Sequence, residues 1–65
     1  MEFVYVAVCD GAEWEDLIIY LTEEEAKAAS VRRPQIRVEI FKRRSDGGYE
    51  PTYNYFVKGE RFGSN

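Results

Sequence analysis

The chain has 65 residues, nine Lys and Arg, twelve Asp and Glu, no histidine, one cysteine and a formal net charge of −3. That length allows one domain with a small core, and the aromatic share of 15% argues for a folded chain over a disordered one. The missing histidine excludes His-based triads, acid–base relays and His metal sites, and no apolar run approaches the ~20 residues of a membrane-spanning helix.

Charge is unevenly spread. Residues 1–30 hold eight acids against Lys27 alone, for −7, and residues 31–65 hold eight bases against Glu39, Asp46, Glu50 and Glu60, for +4. A bipolar surface favours head-to-tail assembly or steers a charged partner, although solvated faces of mixed sign are the simpler reading. The opening Met1-Glu2-Phe3 lacks the basic start of a secretory leader. The single Cys9 has no internal partner, so an intracellular, reducing location is expected.

In chain order, residues 3–9 are apolar throughout and rich in β-formers, which predicts a central strand buried on both faces. Val4, Val6 and Val8 point to one side of it, and Phe3, Tyr5, Ala7 and Cys9 to the other. Asp10-Gly11 is a turn signal, with Trp14 in the connection that follows. Residues 17–21 predict a second strand hairpinned to the first.

Residues 21–31 predict the one helix. Thr22 is its N-cap and Glu25, three residues on, completes a capping box. Glu23, Glu24 and Glu25 suit the positive end of the helix dipole, and Arg32 and Arg33 suit the other end. Pro34 stops the helix. Its inner face is expected from Ala26, Ala29 and Ser30, with Val31 near the end, all small enough to lie close on a sheet.

Residues 35–42 alternate, with Ile36, Val38 and Ile40 facing one way and Arg37, Glu39 and Phe41 the other, the period of a half-buried strand. Lys42, Arg43 and Arg44 form a basic shoulder before the turn at Gly47-Gly48. Residues 49–57 predict a tyrosine-rich fourth strand, with Pro51 at an edge or bulge position.

The expected fold is therefore α+β, ββαββ, with one helix on one face of a four-stranded, mainly antiparallel sheet. Residues 1–58 form the domain and residues 59–65 a loose C-terminal tail. Val4, Val6, Val8, Ile36, Val38 and Ile40 are expected under the helix alanines. The second strand adds Leu17, Ile19 and Leu21, or the alternate set in another register. The uncovered face then carries Phe3, Tyr5, Arg37, Phe41 and two or three of Tyr20, Tyr53 and Tyr55. A monomer rarely exposes so large an apolar patch without a use.

Two stretches, Val8-Cys9-Asp10-Gly11-Ala12-Glu13-Trp14-Glu15-Asp16-Leu17-Ile18-Ile19-Tyr20-Leu21 and Gly48-Tyr49-Glu50-Pro51-Thr52-Tyr53-Asn54-Tyr55-Phe56, resemble short uncharacterised proteins of nucleocytoplasmic large DNA viruses. The resemblance covers residues 3–57. It implies no chemistry, but it does imply a viral setting, as a virion component or an accessory factor in the infected cell.

Candidate chemistry is sparse. Cys9 as a nucleophile needs a base or a lowered pKa, and the adjacent Asp10 works against the latter; a small core or sheet-face residue is the preferred reading. Asp10, Glu13, Glu15 and Asp16 lack calcium-loop spacing and read as a solvated acidic loop. Gly47-Gly48 lacks the Gly-Lys-Ser/Thr of a phosphate loop. No metal, cofactor or catalytic activity is expected.

Two binding readings remain. The preferred one is a protein-interaction or assembly module, self-associating or docking another protein through Phe3, Tyr5, Arg37, Phe41, Tyr53 and Tyr55, since Tyr and Arg are favoured at interfaces. The alternative is single-stranded nucleic-acid binding, with the aromatic face stacking bases and Lys42, Arg43 and Arg44 holding phosphates. Net acidity and the missing RNA-recognition-motif signature weigh against it.

Overall fold

The computed structural model describes residues 2–11 and 13–63. Five strands and one α-helix follow the order β1 (Phe3–Val8), a 3-10 turn (Trp14–Asp16), β2 (Ile18–Tyr20), α1 (Glu23–Arg32), β3 (Arg37–Arg43), β4 (Tyr49–Val57) and β5 (Glu60–Gly63). The strands form one antiparallel sheet in the order β2-β1-β3-β4-β5. The α+β class and the single helix on one sheet face are as expected, but the sheet has five strands where four were expected.

The fifth strand replaces the expected loose tail over residues 60–63; Ser64 and Asn65 lie outside the described residues. Its cause is local. Lys58 (φ 53) and Gly59 (φ 81) are both left-handed, and Val57 pairs with Glu60 around them. Two consecutive positive φ angles make the tight two-residue turn whose twist matches antiparallel strands. The helix then secures that turn, because the Gly59 N–H donates to Ser30 Oγ at 2.8 Å. A Cβ at Gly59 would lie 2.8 Å from Val31 Cγ2, so glycine is required there for space as well as for φ.

Helix α1 starts where the cap chemistry places it. Thr22 Oγ1 accepts from the Glu25 N–H at 3.2 Å, and the Thr22 hydroxyl in turn donates to Glu25 Oε1 at 3.0 Å. The N-cap is as expected, but the reciprocal half of the box is not: the Glu25 carboxylate accepts from the Thr22 hydroxyl in place of the Thr22 backbone N–H. Ala26, Ala29 and Ser30 are buried, as expected, while Val31, expected near the end of the inner face, is 61% exposed. The small inner face brings the helix close to the sheet. The core is Tyr5, Ala7, Ile36, Val38, Ile40 and Phe56 beneath Ala26 and Ala29.

The face assignment of β1 is the main correction. Residues opposite one another across an antiparallel ladder share a face. Tyr5 pairs with Ile40 and Ala7 with Val38, so Tyr5 and Ala7 face the helix and Val4, Val6 and Val8 face away. Tyr5 is 7% exposed and packs its ring 6.3 Å from that of Phe56. An aromatic ring fills depth that the helix alanines leave, which valine would not. In β2 the alternate set turns inward, with Tyr20 opposite Tyr5 and Ile18 opposite Ala7. Cys9 is exposed beyond the end of β1, so it is neither core nor sheet-face residue.

Candidate functional site

The helix covers one sheet face only, and the other is left uncovered. Its composition follows from the register. A row crosses all five strands as Ile19, Val6, Glu39, Tyr55 and Phe62, each opposite the next. Val4, Phe41 and Pro51 form a second row on one side of it. Val8 and Arg37 lie on the other side, with Val57 alternating onto the same face. Ile19 is 61% exposed and Phe62 45%, whereas the valines, Phe41 and Tyr55 are half-buried.

One ion pair sits among these apolar groups. Arg37 Nε donates to Glu39 Oε2. The Arg37 guanidinium also lies 5.7 Å from the Tyr55 ring centroid, and Tyr55 stacks on Phe62 at 5.8 Å and 22°. Ion pair, cation–π contact and ring stack each hold a long side chain in place.

The expected interface residues separate accordingly. Arg37, Phe41 and Tyr55 share the uncovered face. Tyr5 does not; it is a core residue, as its pairing with Ile40 requires. Phe3, opposite Lys42, belongs to the helix side at the sheet end, 36% exposed. Tyr53 sits on a bulge. Glu39 pairs with Tyr55 and Phe41 with Pro51, so Ile40 alone faces Thr52, Tyr53 and Asn54. Tyr53 takes φ 67 and stands 71% exposed. Thr52 Oγ1 stabilises the bulge, donating to the Ile40 carbonyl at 2.8 Å and accepting from the Asn54 N–H at 3.1 Å. Pro51 thus stands beside a bulge, as its missing N–H foretold.

Val4, Val6, Val8, Ile19 and Phe62 also belong to this face, although they are not among the residues expected there. For β1 and β2 no signal separated the two registers, since both faces are apolar. For Phe62 the signal was present in Lys58-Gly59.

Lys42, Arg43 and Arg44 border one shallow depression together with Glu50, but they do not form a uniform basic face. Lys42 and Arg43 alternate onto opposite faces, paired with Glu50 and Tyr49. Arg44 is engaged inside its own hairpin, with Nε 3.2 Å from both Asp46 carboxylate oxygens and Nη1 3.5 Å from Glu50 Oε1. The Gly48 N–H and the Arg44 side chain hold the Asp46 carboxyl below the usual aspartate range. Burial pushes the Tyr5 phenol up, the Glu23 carboxylate adds to that, and Arg61 opposes it.

Surface depressions are shallow. One of about 300 Å³ is lined by Glu13, Trp14, Glu15 and Leu17, and one of about 400 Å³ by Lys42, Arg43, Arg44, Ser45 and Glu50. Among the described residues, no three His, Cys, Asp or Glu side chains cluster as a metal site requires, and no helix is long and apolar enough to cross a membrane. No protein-family model, no curated protein and no solved structure matches the chain.

Proposed function

We propose that this chain is a small, non-enzymatic assembly module that binds protein, in the first place other copies of itself, through the uncovered sheet face. One observation carries the reading: a five-stranded sheet has a helix on one side only, and its bare side is a row of Ile19, Val6, Tyr55 and Phe62, interrupted only by Glu39 at β3 and flanked by Val4 and Phe41. Antiparallel sheets tolerate one solvated face when that face is polar; here it is mostly apolar, which marks an interaction surface. Arg37 and Tyr55 supply residue types that dominate interface energetics. The viral setting implied by the resemblance of residues 3–57 belongs to the same proposal, with the module acting as a virion component or an accessory factor inside the host cell.

The test is solution mass. Light scattering at micromolar concentration is expected to return more than the 7.6 kDa of one chain. Phe41→Glu, which places a carboxylate among Val4 and Pro51, is expected to return the single-chain mass while the far-ultraviolet circular dichroism stays native. A mass unchanged by Phe41→Glu and by Tyr55→Ala would remove this face from the assembly.

A further inference from the structure

The geometry points to an isologous pair, in which a second copy of this chain covers the sheet face about a two-fold axis that crosses β3 at Val38. The inference rests on the proposed role of that face and names its partner and register. The first observation is charge. β3 is the middle strand of five, and between Ile36 and Phe41 its outward positions are Arg37 and Glu39, one cation and one anion two residues apart. Such a midline is complementary to itself. Turning a copy over about an axis that lies in the contact plane, across the strands at Val38, sets Arg37 against the partner's Glu39, and Glu39 against the partner's Arg37. A foreign partner has no reason to be matched to this pattern; a second copy is matched by construction of the operator.

The same operation keeps like on like on the two strands beside β3. Val6 lies opposite Glu39 and Val8 opposite Arg37, so exchanging the two rows lays Val6 over the partner's Val8. Tyr55 comes over the partner's Val57 in the same way, since both alternate outward on β4. Across β1, β3 and β4 apolar groups thus meet apolar groups and the Arg37 and Glu39 charges meet their opposites, as electrostatic complementarity requires; at the β5 edge Phe62 comes over the partner's Glu60 and gains no such match.

The second observation is area. Five strands at ~4.8 Å spacing and five residues at ~3.3 Å rise give a flat footprint of roughly 400 Å² per copy. Side-chain relief raises the accessible area above the footprint, so the pair buries on the order of 1,000 Å² in total, the low end for a specific contact. The molecule measures 33 × 27 × 20 Å, a slab whose broad side fits such a contact. The pair is therefore expected to be concentration-dependent, with both slabs keeping their helices outside.

Charge exchange tests it. Arg37→Glu alone and Glu39→Arg alone each bring like charges together in the pair, and each is expected to weaken self-association at least ~tenfold. An equimolar mixture of the two variants is expected to recover it, with native mass spectrometry finding only the mixed pair. The double variant Arg37→Glu/Glu39→Arg is expected to pair with itself. A measurement on the unaltered protein keeps the test independent of variant folding: in a half-labelled sample, Val6 methyls should show intermolecular Overhauser contacts to Val8 methyls. Single variants that pair as well as the unaltered chain, a mixture that stays monomeric, or absent Val6–Val8 contacts at doubled mass would each overturn the register. If Phe41→Glu dissociates the assembly while the mixture fails to recover, the face keeps its assembly role and only the two-fold arrangement falls; a chain that is monomeric at every concentration removes both.

Discussion

Ser30→Ala isolates the bond that ties the helix to the β4–β5 turn. Ser30 is fully buried, and its hydroxyl both donates to the Lys27 carbonyl and accepts from the Gly59 N–H, each at 2.8 Å. Alanine removes the acceptor and leaves the Gly59 N–H in a half-buried position with no partner, a loss of about 1–3 kcal/mol for a fully buried group. Partial exposure of Gly59 places the loss in the lower half of that range. Alanine is the better helix former by up to ~0.5 kcal/mol, which offsets part of it. The net destabilisation is about 0.5–2 kcal/mol, or roughly 2–16 °C in melting temperature for a domain this small. Calorimetry reads the melting shift, and amide hydrogen exchange reads the site. The Gly59 amide should exchange faster, followed by the β5 amides that its turn positions. An unchanged melting temperature together with unchanged exchange at Gly59 would refute the reasoning, because the turn would then be held by something other than Ser30.

Thr22→Ala should lower stability by ~0.5–2 kcal/mol through loss of the acceptor for the Glu25 N–H, measured as a shifted thermal midpoint. Gly59→Ala should be destabilising by more than ~1 kcal/mol in chemical denaturation, since alanine pays for both the positive φ and the close approach to Val31 Cγ2; a neutral result would show that the turn relaxes. Labelled single-stranded DNA and RNA should show no micromolar binding at about 50 mM salt, the condition that favours phosphate contacts. Binding that is abolished by neutralising Lys42, Arg43 and Arg44 would instead support the nucleic-acid reading.

The helix was legible because several local signals agreed: Thr22 for the start, Glu25 for the cap, Pro34 for the stop and Ala26 and Ala29 for the buried side. The alternation of Ile36, Val38 and Ile40 likewise placed the inner face of β3. What the sequence concealed was the side of β1. Its valines and its Phe3, Tyr5 and Ala7 are both apolar sets, so alternation carried no information, and the decision fell to tertiary packing. Small alanines on the helix leave depth beside Phe56 that the Tyr5 ring fills. The same ambiguity hid most of the candidate site, because Val4, Val6 and Val8 reach the uncovered face only once that choice is made. Arg37, Phe41 and Tyr55 were readable, since their strands alternate or end on a defined partner. Phe62 was overlooked for a different reason: Lys58-Gly59 signals a two-residue turn, but a strand of four residues after it has no periodicity of its own.

Sedimentation equilibrium of the unaltered protein, from low to high micromolar concentration, tests the assembly role most directly. The account predicts a mass that rises with concentration toward twice the 7.6 kDa of one chain. A single-chain mass across the whole range would contradict it.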